Sequence, residues 1–238
     1  MESTLQKAVK AYGGEALWRD AKYIEATIDT KGLAFQMKRR PVFNGVKIRI
    51  AVHHPYARLF PIGKRADIAG MLDGPDVRLE DSEGKVIEVR QNARDYFSNI
   101  RHGIWWDDLD MSYFGNYAMW NYLALPALLL REDIKWSETK PGSLQAIFPC
   151  HLPTHCQTQE FHFDTETGLL KQHDYTAEVI SKLAQAANRV TEHAQNERGL
   201  MFASERLVTP RLPTGKALGW PKLIAISTRD FNVISANI

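Results

Sequence analysis

Residues 105–130 read WWDDLDMSYFGNYAMWNYLALPALLL, and no other stretch of the chain packs so many rings and carboxylates into so short a length. Trp105, Trp106, Tyr113, Phe114, Tyr117, Trp120 and Tyr122 place seven aromatic rings in eighteen positions. Aromatic side chains bury large areas, while Tyr and Trp keep a polar handle. Such a segment suits the lining or lid of a pocket for an apolar molecule. It suits a helix in the middle of a packed core equally well. Its spacing predicts a helix over residues 111–125, ended or bent by Pro126.

Outside that helix the pattern is that of strands. Leu5, Ala8, Val9 and Tyr12 have helical spacing at the start of the chain, and Gly13 and Gly14 stop that helix. From Tyr23 to Asp29 the side chains alternate. Beyond Gly32, residues 33–38 read as the returning strand of a hairpin. The run VKIRIAV at 46–52 puts Val46, Ile48, Ile50 and Val52 on one face. Short strands follow at 57–60, 76–81 and 86–90, and residues 92–100 return to helix. After the central helix, strands are predicted at 134–139, 144–148, 158–163, 169–175, 187–193, 205–208 and 222–233.

Many short strands joined by turns, with helices confined to two insertions, define a mainly β (α+β) class. The expected architecture is a single antiparallel β-barrel or half-barrel. An N-terminal helix accompanies it, and the segment near 111–125 covers or plugs the cavity. A doubly wound α/β fold would need helices alternating with strands, which do not occur here. Without repeats or shifts in composition, residues 1–238 read as one domain.

With 44% hydrophobic residues the chain can bury a sizeable core. Its 30 basic and 28 acidic residues are spread evenly for a net charge of +2, which speaks against nucleic acid as a partner. No apolar run is long enough to span a membrane as a helix. The opening MESTLQKAVKAYGG lacks the basic and apolar segments of a secretory leader, so the expectation is a cytoplasmic protein. Cys150 and Cys156 are then expected as thiols.

Two stretches carry a resemblance. One runs from Trp106-Asp107-Asp108-Leu109-Asp110 through Tyr113-Phe114 to Trp120-Asn121-Tyr122-Leu123 and Pro126. The other is Thr154-His155 followed by Gln159, Phe161, Asp164, Gly168-Leu169-Leu170 and His173-Asp174-Tyr175. Together they resemble an uncharacterised group of bacterial and fungal proteins. The layout of an initial helix, a Gly-Gly, a long strand meander and a helical lid also resembles the half-barrel of outer-membrane lipoprotein carriers. That resemblance implies a cavity that holds acyl chains, but fold analogy does not name a ligand.

Candidate site residues follow from side-chain chemistry. Asp107 comes directly after two tryptophans, and a carboxylate desolvated by such rings has a raised pKa suited to general acid work. Asp107, Asp108 and Asp110 also stand where carboxylates cap the start of a helix. His155 shares strand parity with Gln159 and Phe161, and His173 shares it with Tyr175. If those strands form a hairpin across residues 165–168, one face carries His155, His173 and Tyr175, a set suited to proton transfer. The other reading of these positions is a solvated outer face.

Cys150, His151, His155 and Cys156 do not have a recognised zinc spacing, and Pro149 and Pro153 put them on a loop, so no metal is expected. No nucleotide, dinucleotide, zincin or EF-hand motif occurs, and no cofactor is expected. The leading expectation is an interior barrel cavity for a hydrophobic small molecule, lined by Trp105, Trp106, Tyr113, Tyr117 and Trp120, with Asp107 and His173 orienting the ligand. The alternative is a cofactor-free cyclase or isomerase of secondary metabolism using the same cavity. Asp107, His155, His173 and Tyr175 would then be its catalytic groups. Whether the protein is an enzyme stays open on sequence grounds.

Overall fold

The structure is a computed structural model, and it describes residues 2–98 and 100–235. Two short helices open the chain, α1 (Thr4–Ala11) and α2 (Glu15–Asp20). Ser3 caps α1 in a capping box with Gln6. The strands β1 (Ala21–Lys31), β2 (Val46–Ala51), β3 (Tyr56–Phe60), β4 (Ala69–Asp73), β5 (Asp76–Glu80) and β6 (Val86–Arg90) follow, with the short helix α3 (Leu33–Met37) between β1 and β2. A helical region then holds 3-10 turns at Ala93–Ser98 and Ile100–Gly103, the long α4 (Asp108–Leu123) and the single turn α5 (Leu125–Leu128). The strands β7 (Lys135–Lys140), β8 (Ser143–Ile147), β9 (Thr158–Phe163), β10 (Leu170–Thr176), β11 (Gln185–Gln195), β12 (Met201–Pro210) and β13 (Ile224–Ser235) complete the fold.

The thirteen strands of the described residues form one antiparallel curved sheet in the order β6-β5-β4-β3-β2-β1-β13-β12-β11-β10-β9-β8-β7. Every neighbour is also a neighbour in sequence except β1 and β13. The chain thus runs outward to the edge strand β6, passes through the helical region to the opposite edge β7, and returns beside its start. The sheet is open, so the half-barrel alternative holds and the closed barrel does not. Helix α4 occupies the hollow, packing on β3, β4 and β5.

The central helix starts at Asp108, three residues earlier than its spacing predicts, and Pro126 sits in the first turn of α5 rather than ending α4. Every α4 residue from Leu109 to Leu123 is buried. A helix apolar or packed on all sides belongs in a core, which is why this one has no polar face. Its sheet-facing side is built from small residues. Gly115 lies against Leu59 and Phe43, and the Asn116 side chain donates to the Gly70 carbonyl at 3.0 Å.

Two local expectations are corrected, and one strand goes unread in the sequence. Most of the strand expected at 33–38 is the helix α3 (Leu33–Met37), because Ala34 N–H bonds to the Leu223 carbonyl beside Gly32 and Phe35 turns inward. Leu, Ala, Gln and Met there are also good helix formers. Where residues 92–100 read as helix, Ala93–Ser98 and Ile100–Gly103 form 3-10 turns, and residue 99 lies outside the described residues. Strand β4 has no alternation to reveal it, because Ala69, Gly70, Met71 and Leu72 are all buried.

Candidate functional site

The hairpin of β9 and β10 pairs Phe161 with His173 and Glu160 with Asp174. This places His173 and Tyr175 on the inner face against α4. His155 lies not on β9 but on the loop before it. That loop is closed by a bond from Phe148 N–H to the Gln157 carbonyl and pulled inward by Asn121, whose side chain donates to the Pro153 carbonyl at 2.9 Å. Arg94 holds the loop from outside, donating to the carbonyls of Thr154 and His155 at 2.6 and 3.2 Å.

The structure therefore brings His155, His173 and Tyr175 together. Nδ1 of His155 lies 3.1 Å from the Tyr117 hydroxyl and Nε2 lies 2.8 Å from the Tyr122 hydroxyl. The Tyr122 hydroxyl in turn lies 2.8 Å from that of Tyr175. A neutral imidazole has one donor and one acceptor nitrogen, and the two phenols match both. Burial, reinforced by the Arg94 charge, pushes the His155 pKa down to about 3. Burial likewise raises Tyr122 to about 12 and moves Tyr117 and Tyr175 well upward. The network is uncharged near neutrality.

His173 is part of the same cluster but bonds elsewhere. Its Nε2–H donates to Oε1 of Gln159 at 2.6 Å, and its ring stacks on Phe161 at 4.1 Å. Gln159 also bonds Thr154 and the Cys156 carbonyl, which fixes the amide orientation and so the His173 tautomer. Burial pushes the His173 pKa well down. Strand parity had already grouped Gln159 with His155; Tyr117 and Tyr122 are the members of this cluster that it did not assign to it. The i, i+5 pair of tyrosines on α4 was visible in sequence, but its direction was not.

Asp107 is elsewhere. It is the N-cap of α4, forming a capping box with Asp110 and an ion pair with Arg90 at 2.7 Å. Asp110, fully buried, meets Arg90 at 2.5 Å and His102 at 3.0 Å. Asp108 pairs with Arg40. These carboxylates clamp the start of α4 to β6 and to the segment after α3.

The five residues expected to line a ligand cavity divide. Tyr113, Tyr117 and Trp120 are buried in packing, with the Trp120 indole N–H bonded to the Ala51 carbonyl at 2.9 Å. Trp105 is exposed. Trp106 lines a cavity of about 40 Å³ at the hollow, shared with Ala34, Phe35, Met111, Phe114, Ile180 and Ile224 and flanked by Lys38 and Arg40, and Tyr113 lines a more open one of about 330 Å³ beside Arg94 and the 149–157 loop. A second small cavity, about 20 Å³, lies at the other end of α4 beside Tyr12, Tyr122 and Arg206. Helix α4 thus fills most of the hollow that sequence reading left for a ligand.

Cys150 and Cys156 are both free thiols, Cys150 exposed and Cys156 buried. A different trio has metal-ligand geometry. Carboxylate oxygens of Glu160 and Asp174 and a ring nitrogen of His162 lie within 4.8 Å of one another. His162 Nδ1 faces the Ser143 hydroxyl at 2.8 Å, leaving Nε2 toward Asp174 at 3.2 Å. Their parity places this trio on the sheet face opposite His173 and Tyr175.

No protein-family model matches the sequence, and no curated protein matches it. Solved structures do resemble the fold. A LolA-superfamily protein from Nitrosomonas europaea is 10% identical with a TM-score of 0.48, over 98% of this chain and 92% of that one. A DUF1329-family protein from Desulfovibrio piger is 11% identical with a TM-score of 0.47, over 99% and 93%. A proposed outer-membrane lipoprotein-sorting protein domain from Vibrio parahaemolyticus is 12% identical with a TM-score of 0.48, over 99% and 92%. One of the three is named for lipoprotein sorting, the class of protein whose layout the order of elements resembles.

Proposed function

We propose that the protein binds a hydrophobic small molecule, which enters where α3, the start of α4 and the 177–184 loop meet. The observation that supports this reading is the apolar cavity between Phe35, Trp106, Phe114, Ile180 and Ile224. Around it Leu33, Met37, Ile104, Trp105, Ile180 and Leu183 expose apolar side chains from the same three segments. Large apolar residues gathered at a surface opening mark binding sites more often than chance exposure does. The present space of about 40 Å³ admits the end of a chain and no more. A longer guest displaces α3 or the 177–184 loop, both of which are short.

The enzymatic alternative needs a substrate path to His155. The rings and carbonyls around that imidazole are all buried, so the binding reading comes first. Among the described residues no helix is long and apolar enough to cross a membrane.

Native mass spectrometry of protein purified without detergent tests the reading, followed by titration with a fluorescent fatty acid. The expected result is a retained hydrophobic compound, or saturable uptake of the probe at one equivalent. Absence of both overturns it.

A further inference from the structure

The geometry points to a binding site for a small monovalent anion at Arg206, between α5 and the sheet. It is independent of the hydrophobic site, which lies at the opposite end of α4. Arg206 is on β12, 5% exposed, with its side chain turned into the hollow. Its Nη2 donates to the Tyr122 carbonyl at 3.3 Å, and its guanidinium lies 5.0 Å from the Tyr122 ring. Nη1 is buried and has no hydrogen-bond partner.

The charge is as unmatched as the nitrogen. No carboxylate among the described residues pairs with Arg206, and the phenols of Tyr12, Tyr122 and Tyr175 beside it are kept protonated by burial, so they supply no counter-charge near neutrality. A guanidinium stays protonated in proteins. Burying it without a counter-charge is costly, and an anion beside it offsets part of that cost. The neighbouring imidazole of His193, 3.1 Å from the Tyr12 hydroxyl, is pushed down to about 4 by burial and by Arg206, so it supplies no competing charge near neutrality.

The space beside Arg206 has a matching size and chemistry. The cavity of about 20 Å³ is walled by Tyr12, Trp18, Tyr122, Phe202 and Phe231, the last two stacked at 4.9 Å. That is enough for one atom or group of water size. A space of that size beside one guanidinium admits a halide or the oxygen end of a carboxylate and excludes a hydrated phosphate or sulfate. A carboxylate has two sources, a free ion or the head of an acyl chain passing Met201 and Pro126 at the cavity's side.

Two measurements test this. Thermal unfolding of the full chain is followed at constant ionic strength while bromide, acetate or octanoate replaces sulfate. A protein crystal soaked in bromide is also examined for anomalous scattering. The expected result is a saturable rise in Tm with bromide and acetate, absent in Arg206→Met, and a bromide peak within hydrogen-bond reach of Nη1. Octanoate acting at concentrations at least tenfold lower than acetate identifies an acyl head as the source, and equal potency identifies a free ion. Equal Tm in all salts together with no bromide at Nη1 overturns the site. If Arg206→Met does not fold, the bromide position decides.

Discussion

The imidazole of His155 lies flat on the phenol of Tyr175, with ring centroids 3.8 Å apart and planes 7° from parallel. The two come from different segments, a loop and a strand, and the Tyr122 hydroxyl touches both. Tyr122 therefore ties α4 to the sheet through a polar contact inside an apolar core. Removing its hydroxyl in Tyr122→Phe leaves His155 Nε2 buried without a partner. The expected loss is about 1–3 kcal/mol, read by urea unfolding, with an unchanged far-UV spectrum.

The same burial makes stability depend on pH. A histidine in the unfolded chain titrates near 6.5, whereas His155 is pushed down to about 3 and His193 to about 4, with His173 also lowered. Between these values the unfolded chain takes up protons that the native protein refuses. This contribution is fully present above pH 6.5 and is lost as the pH falls toward 3. Tm should decline across that window, and His155→Gln should flatten the decline relative to its own value at pH 7.5.

The anchoring of α4 predicts a ranking. Asp107→Ala removes a cap and a partly exposed ion pair, at a cost of about 1 kcal/mol. Asp110→Ala removes the carboxylate from a buried cluster with Arg90 and His102, at a cost of about 3–5 kcal/mol. Chemical unfolding of the two variants checks the order, and equal losses would show that the buried cluster adds nothing.

Gly70 permits the close approach of α4 to β4. A Cβ there would stand 2.5 Å from Oγ and 2.9 Å from Cβ of Ser112. Gly70→Ala should lower stability by about 1–3 kcal/mol through overpacking. Ser112→Gly in the same chain should recover part of that loss, which thermal unfolding of the single and double variants measures.

At the proposed hydrophobic opening, Ile180 lines the cavity and is partly exposed. Ile180→Glu should reduce affinity for a fluorescent fatty acid at least tenfold, about 1.4 kcal/mol, while Tm changes little. Undiminished binding would move the site elsewhere.

Strand periodicity revealed β2, whose inward Val46, Ile48 and Ile50 contrast with exposed Lys47 and Arg49. It failed at β4, where burial on both faces erases alternation, and at α3, where tertiary bonds to Leu223 decide the conformation. At the site, parity correctly grouped His173 with Tyr175, because both ride on one regular strand. It reached His155 only by extending β9 into a loop. The aromatic run was legible as a helix, but not how completely its rings would fill the hollow. Volume matching between helix and sheet is a property of the packed interior that no local pattern records.

The pairing of β1 with β13, across some two hundred residues, has a consequence for how the molecule is made. The strands from β1 to β6 and those from β7 to β12 are meanders, each able to zip from nearest neighbours as it is synthesised. Neither half is bonded to the other along the backbone until Ile224–Ser235 is available to seal the seam. A nascent chain stopped short of that segment exposes two unsealed margins, one on β1 and one on β12, and is the form most in need of a chaperone.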